Sequence, residues 1–139
     1  MTTTATYTEQ LADFVCGCDL NDIPADVRQK TALLLLDALG VAVYNGDKPF
    51  VRMLGEVVNR TVKEGACTVI GSRHTCVAEG AALLNSTAIH GNDFDATHVP
   101  AIMHTSAVVI PTALAVAEEC GSSGAELVTK SWAEKHVPV

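Results

Sequence analysis

Seventeen consecutive residues, HGNDFDATHVPAIMHTS, concentrate the groups of this chain that could transfer protons or bind ions. The stretch runs from position 90 to 106 and carries hydroxyl groups, three of the five histidines and two aspartates, namely His90, His98, His104, Asp93 and Asp95. Polar groups cost free energy when they are buried without partners, so packing alone does not explain this concentration. We therefore interpret the stretch as a functional site.

Three kinds of role are compatible with these side chains. A histidine with an unperturbed pKa of roughly 6.5 can transfer protons at neutral pH, while an aspartate and a threonine orient it or bind a substrate. A metal site could use His90, Asp93 and His98, although their spacing fits no standard zinc signature. Alternatively, the aspartates and hydroxyls cap helix ends, and backbone carbonyls satisfy the histidines. The residue types favour acid/base chemistry and leave the other two possibilities open.

The rest of the sequence predicts helices and almost no sheet. Apolar residues recur at helical spacing, and turn residues separate the segments. The predicted helices are Thr8 to Cys16 with Thr8 as N-cap, Ala25 to Tyr44, Lys48 to Val62, Val77 to His90, Ala107 to Cys120 and one from Ala125 onward. The second of these is apolar nearly all round at its centre, which is typical of a buried helix. We predict an all-α helical bundle with a buried central helix and at most a minor extended segment near residues 66–71.

Length and composition predict one domain. With 139 residues, of which 48% are hydrophobic, the chain can bury a core. Its longest apolar run is broken by Asp37 and Gly40, so it does not supply the roughly 20 apolar residues that span a membrane. The first residues contain neither a charged n-region nor a small-residue cleavage site, and we expect a soluble protein in the cytoplasm with no membrane partner.

Cysteine usage and charge exclude further classes. The five cysteines lack CxxC spacing and predict reduced, mostly buried thiols, at Cys16, Cys18, Cys67, Cys76 and Cys120. A net charge of −7 with nine thinly spread Lys and Arg residues argues against a nucleic-acid partner. An anionic substrate would need positive charge from outside this chain.

Several motifs together resemble a known family. In order they are LLLLDALGVAVYNG, ACTVIG, the small-residue helix that leads into HGNDFDATH, and HTSAVVIPTALAVAEECGSSGAEL. This combination resembles the N-terminal part of the MmgE/PrpD family over about residues 8 to 130. That family includes 2-methylcitrate dehydratases, cis-aconitate decarboxylases and iminodisuccinate epimerases.

The resemblance implies a fold, a chemistry and a set of site residues. It implies a helical domain joined to a smaller α+β domain, usually in a homodimer, with no metal and no cofactor. The chemistry is proton abstraction next to a carboxylate of a small di- or tricarboxylate. Carried over by position, the catalytic residues are His104 as general acid or base, Asp93 as its orienting group and Thr97 as a donor to a carboxylate. Asp93, Thr97 and His98 are the residues expected to bind substrate.

The resemblance leaves three hypotheses for function. The first is a 2-methylcitrate or alkylcitrate-type dehydratase, and the second is a cis-aconitate decarboxylase that uses the same residues. The third is a truncated, inactive helical fragment that serves as a binding or dimerisation module. Its support is that the lysines expected from the family are absent and that the final residues, SWAEKHVPV, depart from the family pattern. Ala96 and Thr105 also stand where the family commonly has an acidic residue and a proline, so the loop geometry is expected to differ. We predict a partial family domain over residues 1–130, a divergent tail over 131–139, and an active site of which this chain supplies one wall.

Overall fold

A computed structural model describes residues 5–61 and 64–135. These residues form six α-helices and one very short antiparallel hairpin: α1 (Tyr7–Gly17), α2 (Ala25–Asn45), α3 (Pro49–Thr61), β1 (Cys67–Thr68), β2 (Thr75–Cys76), α4 (Ala78–His90), α5 (Thr105–Cys120) and α6 (Gly124–Lys135). Short 3₁₀ turns at Leu20–Asp22 and Val99–Ala101 complete the elements. The predicted all-α class is confirmed, and the extended segment near residues 66–71 is the first half of the hairpin.

The first helix begins earlier than its sequence pattern indicates. Thr6, and not the predicted Thr8, is the N-cap: its hydroxyl accepts a hydrogen bond from the backbone N–H of Glu9 at 3.3 Å. The Glu9 carboxylate accepts in return from the Thr6 backbone N–H at 2.7 Å. This reciprocal pair is a capping box, and its hydrogen bonds from Thr6 lower the pKa of Glu9.

Helix α2 is central, as predicted, but it is buried on one side only. It packs against α4, α5 and α6, and the small side chains of Ala38 and Ala42 on that side are fully buried. The apolar side chains of its opposite side are more than half exposed, at Leu33, Leu36, Val43 and Tyr44. The expectation that this helix is buried all round is therefore wrong. No helix in the described ranges is long and apolar enough to cross a membrane.

Helices α4 and α5 form the most extensive helix contact in the described chain. Small buried residues at the contact, such as Ala81, Ala88 and Ala107, let the two backbones approach closely. The loop of residues 91–104 joins the end of α4 to the start of α5. Those two helix ends, and any side chains on them, are therefore brought to the same side of the core.

The hairpin is attached to the helices by side chains that replace missing strand partners. The Asn85 amide, on α4, accepts from the backbone N–H of Ile70 at 2.8 Å and donates to the carbonyl of Thr68 at 2.9 Å. From α5, Glu118 accepts from the backbone N–H and the hydroxyl of Thr68, both at 2.6 Å. Because a two-residue strand cannot satisfy its own backbone, these contacts substitute for the rest of a sheet.

The last helix includes part of the region expected to diverge. Helix α6 continues through Ser131 and Trp132 to Lys135. Ser131 is fully buried, and the Trp132 ring lies 6.1 Å from the ring of Phe14 in α1. The first five residues of the predicted tail, 131–135, are thus helical, and residues 136–139 lie outside the described ranges.

We predict that Asn85→Ala lowers the free energy of unfolding by about 2–4 kcal/mol, because it leaves two backbone groups without their buried partner. Urea denaturation followed by circular dichroism measures this change. The matched control is Asn59→Ala on the exposed surface of α3, for which we expect a change within about 0.5 kcal/mol. Equal effects of the two substitutions would contradict the role assigned to Asn85.

Candidate functional site

The candidate site is built at the joined ends of α4 and α5. His90 is the last residue of α4, and His104 is the N-cap residue of α5. Their ring centroids lie 4.7 Å apart in an edge-to-face arrangement. Two histidines that are 14 positions apart in sequence are thus neighbours, because the helices that carry them pack together.

Buried contacts position the loop as it leaves α4. A side chain at Gly91 would collide with the ring of Phe50, so only glycine allows α3 to pack this closely. Asn92 donates through its side-chain amide to the side-chain oxygen Oδ1 of Asn45 at 2.7 Å. Asn45 is itself fully buried, and its amide donates to the carbonyl of Ala88 at 2.8 Å. That carbonyl is in the last turn of α4, where carbonyls lack partners within the helix.

Asp95 connects the two histidines. Its Oδ1 lies 3.1 Å from Nδ1 of His90 and 3.3 Å from Nδ1 of His104. The Asp95 side chain is completely buried, whereas those of His90 and His104 are 53% and 30% exposed. A buried carboxylate requires donors, and here the two imidazole rings supply them to one of its oxygens.

The second aspartate approaches His104 from the opposite side of the ring. Asp93 Oδ1 lies 3.4 Å from Nε2 of His104, and its side chain is 76% exposed. A neutral imidazole has one N–H, so His104 can donate to both aspartates only when both ring nitrogens carry hydrogen. Both aspartates therefore hold the ring only in its doubly protonated form, whereas the neutral ring can donate to one of them.

The structure places the other two predicted residues differently. The Thr97 hydroxyl lies 3.5 Å from Nδ1 of His104, so it belongs to the same group as Asp93 and His104. His98 caps the 3₁₀ turn instead: its Nδ1 accepts from the backbone N–H of Ala101 at 3.3 Å. Its backbone pairs with Met103 in an isolated bridge. The role of His98 in substrate binding stays a prediction.

A cavity opens beside the two histidines. Its volume is about 430 Å³, and it is lined by Ser86, Thr87, His90, Gly91, Met103, His104, Ala107 and Val108. The described lining contains no lysine or arginine. Another cavity, of about 410 Å³, lies between α3 and the hairpin, and its described lining includes none of the clustered histidines and aspartates. Of these two cavities, the first is therefore the one lined by members of the histidine and aspartate cluster.

Comparison with known proteins identifies the family. The chain matches the MmgE/PrpD N-terminal domain over residues 9–133. It belongs to the MmgE/PrpD family. Among curated relatives it is 32% identical over 111 residues to a cis-aconitate decarboxylase-like protein of Aspergillus oryzae. These aligned residues are 80% of this chain and 23% of the relative. It is 26% identical over 117 residues to cis-aconitate decarboxylase of Aspergillus terreus, covering 84% of this chain and 24% of that protein. The chain thus spans about a quarter of the length of these relatives.

The catalytic residues expected from sequence leave out two members of this MmgE/PrpD site. Asp95 is the buried carboxylate at its centre, and His90 is the second imidazole on it. The spacing Asp93-Phe94-Asp95 was a usable signal, because residues i and i+2 of an extended segment lie on the same side. Which aspartate points inward depends on the left-handed backbone of Asp93, with φ of 58°, and this is not visible in the sequence.

The cysteines of this MmgE/PrpD domain are free thiols and only partly buried. Cys67 and Cys76 face each other across the hairpin and are buried, while Cys16 and Cys120 are exposed. Burial, followed by the charge of Glu118, raises the pKa of Cys67. Burial and the neighbouring Cys67 raise the pKa of Cys76. The expectation of mostly buried thiols is wrong for this chain, and the two buried ones stay protonated and unreactive at neutral pH.

Alkylation of the native protein tests this difference. At pH 8 we expect iodoacetamide to label Cys16 and Cys120 within minutes and to leave Cys67 and Cys76 unlabelled until the protein unfolds. Peptide mass spectrometry measures the labelling, and equal labelling of all four thiols would contradict the assignment.

The raised pKa values of Cys67 and Cys76 also make stability depend on pH. Because they favour the protonated thiols of the folded state, their contribution to the free energy of unfolding should be full below the ordinary thiol pKa and decrease as the pH rises through the raised values.

The loop before His104 contains a strained residue. Ile102 is 88% exposed and adopts the left-handed conformation, with φ of 51°, which costs a β-branched residue about 1–2 kcal/mol. We predict that Ile102→Gly raises the free energy of unfolding by about 0.5–1 kcal/mol, after the larger entropy loss of glycine is subtracted. Val99→Gly, at an exposed position in the same loop, lacks this strain and should be destabilising by a similar amount. Thermal unfolding measures both changes: the melting temperature should rise for Ile102→Gly and fall for Val99→Gly.

Proposed function

We propose that this chain provides one wall of the active site of a lyase that acts on a small tricarboxylate. The observation that carries the proposal is the position of His104 between two carboxylates at the mouth of a cavity. Membership of the MmgE/PrpD family supports the same class of reaction. His104 would exchange a proton with the substrate, and Asp93 and Asp95 would hold its ring in place.

Cis-aconitate decarboxylation is the first candidate reaction. Its support is that the matched relatives from Aspergillus are named as cis-aconitate decarboxylases or as similar to them. In such a reaction the bond to one carboxylate breaks, CO₂ leaves with the electron pair remaining on carbon, and a general acid protonates that carbon. His104 would be this acid. The hydroxyl of Thr97, which lies near the same ring, would donate a hydrogen bond to a substrate carboxylate.

Dehydration of a 2-methylcitrate-like substrate is the second candidate. It uses the same residues, with His104 removing a proton next to a carboxylate or protonating the departing hydroxyl. The negative charge that develops on the carboxylate must be met by positive charge or strong donors. Both candidate reactions therefore require positive charge or strong hydrogen-bond donors elsewhere in the site.

Positive charge is the component that the described lining of this cavity lacks. The described cavity lining holds no lysine or arginine, and Asp93 exposes its carboxylate beside the cavity. A trianionic substrate would be repelled by this wall alone. We propose that a second wall, from outside this domain or from a second subunit of a homodimer, supplies the cations.

His104→Gln tests the proposal, because glutamine keeps polar contacts but does not transfer protons. We expect the wild-type protein to convert cis-aconitate or 2-methylcitrate, and the variant to be slower by about 10²–10⁴-fold. NMR of each acid follows the product, and release of CO₂ distinguishes decarboxylation from dehydration.

The matched control for this experiment is His74→Gln, which changes a histidine on an exposed turn away from the clustered residues. We expect its rate to equal that of the wild type. Full activity in His104→Gln would contradict the proposed role. Absence of turnover by the wild type when the second wall is present would favour the binding or dimerisation module instead.

A further inference from the structure

His90 is a second histidine on the cavity beside the joined ends of α4 and α5, and the proposed function gives it no role. Its side chain is 53% exposed, and it lines the same cavity of about 430 Å³ as His104. The centroids of the two rings lie 4.7 Å apart, so a small acid that contacts one ring in the cavity can contact the other as well. His90 is therefore placed to touch the substrate on which His104 acts.

Asp95 fixes the position of the hydrogen on a neutral His90 ring. Its Oδ1 lies 3.1 Å from Nδ1 of His90, and Oδ2 of the same buried carboxylate has no hydrogen-bond partner among the described residues. The described partners therefore meet the charge of this carboxylate through Oδ1, and each must present an N–H group there, because a bare imidazole nitrogen would repel the oxygen. A neutral His90 thus carries its hydrogen on Nδ1, which leaves Nε2 with a lone pair.

The Nε2 atoms of the two histidines have different surroundings. Among the described residues, Nε2 of His90 has no hydrogen bond and no ion pair, whereas Nε2 of His104 lies 3.4 Å from Oδ1 of Asp93. A nitrogen that faces a carboxylate is favoured as an N–H donor, since two acceptors repel each other. His104 therefore presents a proton, and His90 presents a lone pair.

The short distance between the rings favours the same division. Two positively charged imidazole rings with centroids 4.7 Å apart repel each other, so an extra proton on one ring disfavours an extra proton on the other. His104 contacts two carboxylates, and His90 contacts one. The extra proton is thus stabilised more on His104, and His90 is the neutral ring of the pair.

We infer that His90 is a second catalytic residue, whose Nε2 removes a proton next to a substrate carboxylate while His104 acts as the acid. This inference rests on the proposed lyase function and divides the roles within it. It concerns the loss of water from a hydroxy acid with two or three carboxylates, because that reaction needs a base and an acid on one substrate. A buried aspartate that holds Nδ1–H of a histidine, so that Nε2 accepts the proton, is the arrangement of the serine protease triad.

The step balances without a further reactant. Nε2 of His90 takes the proton from carbon, and the electron pair of that C–H bond forms the carbon–carbon double bond. The C–O bond of the neighbouring carbon breaks, and the departing hydroxyl takes the proton from Nε2 of His104 and leaves as water. His90, which is half exposed, then loses its proton to solvent, and His104 regains one. Decarboxylation releases CO₂ and needs only an acid, so it gives His90 no proton to remove.

Nitrogen NMR of the histidine rings tests the protonation states without any substrate. In ¹⁵N-labelled protein at neutral pH, two-bond ¹H–¹⁵N correlations distinguish ring nitrogens that carry hydrogen from those that do not. We expect neutral His90 to carry its hydrogen on Nδ1, and we expect a larger doubly protonated fraction for His104 than for His90. A neutral His90 with its hydrogen on Nε2, or the reverse order of the two fractions, would overturn the inference.

His90→Asn separates proton transfer from positioning. The asparagine amide can still donate to Asp95, but the variant has no nitrogen in place of Nε2. We expect the ring signals of His104 to stay as in the wild type, and dehydration of 2-methylcitrate to be slower by about 10²–10⁴-fold. Decarboxylation of cis-aconitate should be unchanged, since it needs no base. The matched control is His74→Asn on the exposed turn, which should equal the wild type in both reactions.

Three kinetic results would each overturn the role of His90. They are full dehydration activity in His90→Asn, an equal loss of both reactions in that variant, and a wild type that decarboxylates cis-aconitate but dehydrates no hydroxy acid. The inference fails alone when His104→Gln is slow and His90→Asn is not. A wild type that converts neither acid when the second wall is present contradicts the proposed function, and the role of His90 fails with it.

Discussion

The carboxylate of Asp95 is the constraint around which the site is arranged. It is completely buried, and one of its oxygens lies within hydrogen-bonding distance of a histidine from the end of α4 and of a histidine at the start of α5. A buried carboxylate is tolerated only where donors surround it. The loop of residues 91–104 therefore begins and ends beside Asp95, and this brings His90 and His104 together in one cluster.

Side chains that satisfy backbone groups hold the surrounding elements in place. The Asn45 side chain bonds both the last turn of α4 and the loop residue Asn92. Asn85 and Glu118 complete the hydrogen bonding of the short hairpin. These contacts join positions that are 15 to 50 residues apart in sequence. In a domain with many small core residues, such directed bonds specify which helix ends meet, whereas apolar burial alone is non-directional.

Charge sets the limit on what this wall can do by itself. Two aspartates and two histidines can hold and move protons, but they attract cations and repel polycarboxylates. The chain carries a net charge of −7, and its matched part covers only about a quarter of the length of its curated relatives. Catalysis on an anionic substrate therefore requires positive charge in addition to the described residues. The second wall that we propose is a source of it.

The helices and the family motif can be read from neighbouring residues along the chain, whereas burial and the choice of side-chain partners depend on the folded structure. Helical spacing predicted every described α-helix to within a few residues, because periodicity and stop signals depend on neighbouring residues. The family motif likewise selected Asp93, Thr97 and His104, which the fold does bring together. Asp93 and Asp95 are equivalent in sequence, yet the left-handed turn at Asp93 leaves it exposed while Asp95 enters the core. His98 and His104 are both possible proton carriers, yet one caps a turn and the other meets two carboxylates. These outcomes depend on which distant segments pack together, and local spacing carries no information about that.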